Sequence, residues 1–130
     1  MLQSLVKYET HAYALMRIVT GFLFLWHGLQ KLVGFPPDER LVNAPAFILY
    51  VAGPIELFGG LLVMIGLFTR PAAFLSSGLM AAAYWMAHGF RHPLPVVNQG
   101  EPAALYCFVF LYIAARGAGI WSIDGSRSAA

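Results

Sequence analysis

Residues 21–32 read GFLFLWHGLQKL, an apolar run that nonetheless carries a histidine, a glutamine and a lysine. The rest of the chain is equally apolar: of its 130 residues, 59% are hydrophobic and only 11% are charged. Soluble domains are roughly half apolar and a quarter charged. The composition is therefore typical of a protein that lies in a membrane, and the length favours a single domain over residues 1–130.

Four apolar runs each approach the ~20 residues that a helix needs to cross ~30 Å of hydrocarbon. Lipid leaves only helices and closed barrels with satisfied backbone groups, and these runs are too long for barrel strands. The predicted bounds are Ala12–Val33, Ala46–Phe68, Pro71–Phe90 and Ala103–Trp121. We therefore predict an all-α membrane protein, a four-transmembrane-helix bundle, followed by a polar tail that frays.

The cations predict how this bundle is oriented. With both termini on one side, that side holds Lys7, Arg17, Arg70, Arg116 and Arg127, and the other holds Lys31, Arg40 and Arg91. Because cytoplasmic loops are enriched in Lys and Arg, both termini are predicted to be cytoplasmic, as in a multi-pass protein of a bacterial inner membrane. The absence of a basic run predicts no nucleic-acid partner. The single cysteine excludes dithiol chemistry within the chain.

The polar residues of the first two helices share faces with glycines. Arg17, His27 and Lys31 lie on one arc of the first helix, and Glu56 lies between two glycines on the second. A charge near mid-membrane costs about 2.5–3.5 kcal/mol on insertion scales, so Glu56 requires a partner. Depth along the helices predicts that the partner is Arg17, with His27 as the second choice. The predicted intramembrane polar network is Arg17, His27, Lys31 and Glu56.

Further polar residues are predicted to lie at the two rims of the bundle. The outer-rim set is His88, Arg91, Asn98 and Glu101, and the inner-rim set is Arg70, Arg116 and Asp124, which are positioned for surface ion pairs. Glu101 fits equally well a role at the positive end of the fourth helix. The histidines show no H-E-x-x-H spacing, so no metal site is predicted. No catalytic nucleophile motif is present, and no catalytic residue is predicted.

Four segments in this order, RIVTGFLFLWHGLQKL, ELFGGLLVMIGLFTRPAA, NQGEPAALY and GAGIWSIDG, resemble the DoxX family of small bacterial membrane proteins. The resemblance implies a four-helix membrane bundle. It also implies a link to thiosulfate:quinone oxidoreductase, to a terminal quinol oxidase, or to oxidative-stress responses. The residues that fall on family motif positions are Arg17, Gly28, Lys31, Glu56, Gly60, Arg70, Asn98, Glu101 and Asp124. His27 departs from the family pattern, which favours a small residue there.

The leading prediction is an accessory or anchoring subunit of a quinone-linked membrane redox complex. It has no covalently bound cofactor, and a soluble or membrane oxidoreductase is its partner. In this prediction a quinone headgroup enters between helices near the outer rim. It contacts His27, Lys31, Glu56 and Tyr106.

Two other classes of function remain open on the sequence. A small proton-coupled transporter would use Glu56 as its proton carrier, although a glutamate neutralised by a neighbouring cation carries protons poorly. A purely structural or assembly protein would use the polar face only to fasten its helices together. Homodimerisation through glycines spaced seven apart, Gly59 and Gly66, is a further alternative.

Overall fold

The computed structural model describes residues 2–128, and all regular structure within them is helical. We number the main helices α1 (Glu9–Val33), α2 (Gly53–Ile65), α3 (Thr69–Tyr84), α4 (Glu101–Arg116) and α5 (Ile123–Ser128). Short helical turns cover Gln3–Val6, Glu39–Leu41 and Pro95–Asn98. Two helices, Glu9–Val33 and Ile48–Ile65, are long and apolar enough to cross a membrane. The chain therefore has the build of a helical membrane protein.

The four longest helices form one bundle with a distinct pattern of contacts. α1 packs along α2 and α3 packs along α4, α2 and α3 join the two pairs, and α1 touches α4 only sparsely. The buried centre is apolar, with the rings of Phe24 and Phe110 4.6 Å apart between their centroids. We call the two ends of the bundle the termini end, where α1 begins and α5 lies, and the loop end, where α1 ends and α4 begins.

Glycines set the register between α1 and α2. A Cβ added to Gly21 would lie 2.5 Å from the carbonyl oxygen of Gly60, and one added to Gly28 would lie 2.2 Å from the backbone nitrogen of Leu57. Backbones approach this closely only where a side chain is absent, and small residues mark such contacts between membrane helices. Leu57 therefore lies level with Gly28, near the end of α1.

Two wide helical turns occur at the loop end. The π-helical turn Ile48–Ala52 leads into α2, and the π-helical turn Trp85–Gly89 follows α3. The first has a clear cause in the sequence: Pro54 lacks an N–H, and in a regular α-helix its ring would collide with the carbonyl of Tyr50, four residues earlier. Turns of this kind are frequent at functional sites.

The C-terminal part of the chain differs from the prediction in two respects. The fourth helix ends at Arg116 rather than Trp121, because Gly117 (φ 92°) and Gly119 (φ 71°) take backbone conformations that end a helix. The predicted frayed tail is also wrong, since Ile123–Ser128 forms α5. Asp124 anchors α5, because its backbone N–H donates to the carbonyl of Gly66 at 2.8 Å.

The other helix bounds shift by a few residues. α1 begins at Glu9 instead of Ala12. α2 ends at Ile65 instead of Phe68, because Gly66 (φ 70°) allows the N–H of Leu67 to bond back to the carbonyl of Leu62 at 2.9 Å. This is the glycine-based helix end that satisfies otherwise orphaned carbonyls.

Candidate functional site

A buried ion pair joins the end of α1 to the start of α2. The Nζ atom of Lys31 lies 2.5 Å from Oε2 of Glu56, and the two side chains are 14% and 6% exposed. Lys31 lies in the last turn of α1 and Glu56 in the first turn of α2. The pair therefore lies at the loop end, near Gly28, where the backbones of α1 and α2 approach closely.

The predicted pairing of Glu56 with Arg17, or with His27 as second choice, is wrong. The prediction matched residues by their distance from the centre of each helix. The glycine contacts instead place Glu56 beside the last turns of α1 and leave Arg17 level with Val63. Val63 is seven residues further along α2, about 10 Å at the rise of an α-helix. α1 extends past α2 at the termini end, so the centres of the two helices do not coincide.

Arg17 binds backbone carbonyls instead of a carboxylate. Its guanidinium is completely buried and donates to Val63 and Met64 at the end of α2, at 2.8 Å each. It also donates to Ile120 at 3.1 Å and Trp121 at 2.7 Å, in the segment between α4 and α5. The last carbonyls of a helix lack partners within the helix and carry partial negative charge. Arg17 thus ties α1, α2 and the C-terminal segment together.

The remaining predicted contacts adjoin the ion pair. The ring of His27 lies edge-on to the ring of Tyr106, with centroids 6.3 Å apart. His27 precedes Lys31 by four residues, so the two share a face of α1. We call Tyr106, His27, Lys31 and Glu56 the polar cluster. The structure brings these four residues together and separates Arg17 from them.

A groove lies beside the polar cluster where α1 and α4 diverge. It has a volume of about 790 Å³, and the residues that line it include Thr20, Leu23, Glu101, Leu105, Tyr106 and Val109. Most of these side chains are apolar, and Tyr106 belongs to both the groove and the polar cluster. The polar cluster thus adjoins an apolar cleft on the side of the bundle, and small-molecule sites are commonly mostly apolar with a few placed polar groups.

The outer-rim residues divide into two groups. His88 Nδ1 lies 2.9 Å from the carbonyl oxygen of Asn98, whose side-chain amide donates to the carbonyl of His92 at 2.8 Å. The Asn98 carboxamide oxygen accepts from the N–H of Gly100 at 2.7 Å. Asn98 therefore fastens the loop before α4, whereas Arg91 and Glu101 are exposed and take no part. Within residues 2–128 no three His, Cys, Asp or Glu side chains are grouped to hold a metal.

The inner-rim ion pairs predicted among Arg70, Arg116 and Asp124 are also wrong. Arg70 donates to the carbonyls of Ala114 at 2.9 Å and Ala115 at 2.5 Å, at the end of α4. Arg116 pairs with Glu9 at 2.9 Å. Backbone groups at helix ends and a glutamate on α1 lie closer to these arginines than Asp124 does.

Asp124 serves the start of α3. Its carboxylate accepts hydrogen bonds from the N–H of Phe68 at 3.1 Å, and from the N–H and hydroxyl of Thr69 at 2.9 and 2.8 Å. Partial burial raises the pKa of Asp124, but the hydrogen bonds from Thr69 and Phe68 outweigh it and hold that pKa below its ordinary value. A carboxylate is favoured at a helix N-terminus by the helix dipole.

The helical bundle, its apolar outer surface and its buried charges define a small helical membrane protein. A family model described as DoxX matches residues 12–89, and the chain belongs to that family. A Haemophilus influenzae protein described as "Uncharacterized protein" is 39% identical over 128 residues, covering 95% of this chain and 96% of its own length. The Bacillus subtilis protein named "Putative oxidoreductase CatD" is 29% identical over 113 residues, covering 85% of this chain and 82% of its own. No solved structure matches.

Proposed function

We propose that the chain is a multi-pass protein of the bacterial inner membrane that acts as an accessory or anchoring subunit of a quinone-linked redox complex. In this proposal all four long helices span the bilayer and both termini are cytoplasmic. The observation that carries it is the polar cluster beside the groove between α1 and α4. The name of the Bacillus subtilis relative points in the same direction.

The proposed ligand is the headgroup of a membrane quinone, which supplies the redox chemistry when bound. The groove would admit it laterally from the lipid, and most of the groove lining is apolar, as a hydrophobic quinone requires. The Tyr106 hydroxyl and the His27 ring would donate hydrogen bonds to its oxygens. Lys31, one helical turn from His27, would add a charged hydrogen-bond donor, and Glu56 would hold it in place. Electrons would come from a partner oxidoreductase.

The ion pair also bears on the alternative of proton-coupled transport. Glu56 is neutralised by Lys31 at 2.5 Å, and a carboxylate held in this way is a poor proton carrier. This observation favours a fixed binding site over a transport cycle. A purely structural role would leave the groove without a ligand, and quinone binding separates that role from the proposed one.

Quinone binding to the purified full chain tests the proposal. Titration with a short-tailed, soluble quinone, followed by quenching of tryptophan fluorescence, gives the dissociation constant. Tyr106→Phe removes one hydrogen bond and is expected to weaken binding about fivefold, because such a bond contributes about 1 kcal/mol. Tyr50→Phe is the matched control, since Tyr50 is 71% exposed and lies outside the polar cluster. Equal affinities of the two variants, or binding unchanged in His27→Leu, would contradict the proposal.

The accessory-subunit part requires a separate measurement. Native mass spectrometry of the protein, extracted gently from its own membranes, should show a complex with an oxidoreductase that carries its own redox cofactor. A homodimer without such a partner would argue against this part and would favour the transporter or structural alternatives.

A further inference from the structure

A second cavity lies at the termini end, remote from the polar cluster. It has a volume of about 570 Å³ and lies between the start of α3, the segment after α4, and α5. Three arginines line it, Arg70, Arg116 and Arg127, together with a single acidic residue, Asp124. We call this cavity the basic pocket.

The acidic residue in the basic pocket forms no salt bridge with the arginines within residues 2–128. The carboxylate of Asp124 is occupied by three hydrogen bonds from Phe68 and Thr69. The salt bridges within residues 2–128 include neither Arg70 nor Arg127. Arg70 and Arg127 therefore line the cavity without a salt bridge in that part of the chain, and the single charge of Asp124 offsets only part of their positive charge.

Two of the three guanidinium groups are held rigidly at the wall of the pocket. Arg70 uses three N–H donors on the carbonyls of Ala114, Ala115 and Arg116, and two of its five remain. It lies so close to the backbone that a Cβ at Gly117 would be 3.0 Å from its Nη2. Arg116 is held 4.2 Å above the centroid of the Tyr13 ring. Groups fixed in advance lose little freedom when a ligand binds.

Phosphate is the anion that fits this arrangement. Its oxygens accept several hydrogen bonds at once, and arginine presents paired N–H donors that match them. A cavity of about 570 Å³ accommodates a phosphate ester with a small polar group. The basic pocket also lies at an end of the helices, which is where the headgroups of lipids meet a membrane protein.

We propose that the basic pocket binds the phosphate group of an acidic phospholipid, with Arg70 and Arg127 as its principal cationic ligands. This assignment does not rest on the quinone proposal, because it concerns the opposite end of the bundle. Free phosphate has the same recognition chemistry and is the alternative source of the ligand.

Lipid titration of the full-length protein in neutral detergent, followed by native mass spectrometry, tests the assignment. We expect phosphatidylglycerol to bind at least about tenfold more tightly than phosphatidylcholine, because only the former carries a net negative charge. Arg127→Gln should weaken phosphatidylglycerol binding about tenfold, since it removes one charged hydrogen-bond donor. Arg91→Gln is the matched control, an exposed arginine at the loop end. Equal binding by the wild type and Arg127→Gln, or equal losses in both variants, would overturn the assignment.

Two further measurements keep the test clear. Arg70→Gln should weaken binding at least as much as Arg127→Gln, and circular dichroism must show that this variant retains its helices.

Competition with excess inorganic phosphate distinguishes the phospholipid from free phosphate as the source of the ligand. If phosphatidylglycerol stays bound in its presence, the ligand is the lipid. If phosphate displaces the lipid in the wild type and loses affinity in Arg127→Gln, soluble phosphate also uses the pocket. Phosphate or lipid binding with the same affinity in Arg127→Gln as in the wild type contradicts the proposal.

Discussion

The two ends of the bundle use their cations in opposite ways. At the termini end, Arg17 and Arg70 donate to backbone carbonyls at the ends of α2 and α4. At the loop end, Lys31 pairs with the side chain of Glu56, next to the groove. Carbonyls at helix ends cannot change charge or move without unwinding the helix, whereas the side chains of Lys31 and Glu56 can rotate towards a ligand in the groove. The comparison therefore assigns anchoring to the termini end and adaptable chemistry to the loop end.

The largest expected effect is the loss of Arg17. Arg17→Met leaves four carbonyls without their donor, and each unsatisfied buried group costs about 1–3 kcal/mol. We expect the free energy of unfolding to fall by at least about 3 kcal/mol, measured by denaturant unfolding in detergent with circular dichroism. Arg40→Met, at an arginine whose side chain is 88% exposed, is the control and should change nothing measurable. An Arg17→Met protein as stable as the wild type would remove the anchoring role.

The next effect tests the register that separates the two ends. Gly28→Ala places a Cβ 2.2 Å from the backbone nitrogen of Leu57, and backbone cannot move aside as a side chain would. Overpacking of this kind typically costs about 1–3 kcal/mol, which we expect in the free energy of unfolding. Gly78→Ala is the matched control, because nothing lies within 4 Å of its added Cβ and alanine favours helix. Similar stabilities of the two variants would show that Gly28 does not set the register.

A double-mutant cycle measures the Lys31–Glu56 pair. Either single change, Lys31→Met or Glu56→Gln, leaves the other group buried without its partner, so each is expected to destabilise the fold. The double variant should lose less than the sum of the two, with a coupling of about 1 kcal/mol or more in the free energy of unfolding. Strict additivity would mean that the two groups do not interact, and the distinction between the two ends would lose its basis.

The smallest expected effect concerns Asp124 and depends on pH. Its pKa is lower in the folded protein than the ordinary value of 3.8, so the folded state binds fewer protons than the unfolded state. Its stabilisation is therefore complete above pH 3.8 and is lost as the pH falls through the lowered pKa. Asp124→Asn keeps an oxygen acceptor for the N–H groups of Phe68 and Thr69 but removes the negative charge at the start of α3, which should cost about 0.3–1 kcal/mol at neutral pH. Unfolding temperatures of both proteins should approach each other as the pH falls below 3.8 and converge once it is below the lowered pKa of Asp124. A constant difference at all pH values would contradict this account.

The sequence allowed the helical class and most of the candidate site to be predicted. The polar face of the first helix follows from its helical wheel alone. The predicted residues His27, Lys31, Glu56 and Tyr106 lie close together in the structure. The partner of Glu56 was mistaken because choosing between Arg17 and Lys31 requires the offset between two helices. That offset is set by Gly21, Gly28 and Gly60, whose contacts appear only when the backbones are packed.

The C-terminal segment shows the same limit. The stretch after Trp121, SIDGSRSAA, is polar, which predicts a loose tail, and nothing local indicates that Asp124 reaches back to α3. Its three hydrogen bonds there span more than fifty residues of chain. The segment that was predicted to fray is instead a helix, held by contacts with residues that are distant in the sequence.

By itself the sequence determined what depends on composition and local periodicity: a helical membrane protein with charged residues on the inner faces of its first two helices. Family membership likewise follows from the sequence, through the family model that matches residues 12–89. The tertiary structure alone decided which charged groups lie in contact, where the groove lies and which residues line the basic pocket. The physical reason is that a helix specifies which face a side chain occupies, whereas its neighbour is chosen by the register between helices, and close backbone contacts set that register.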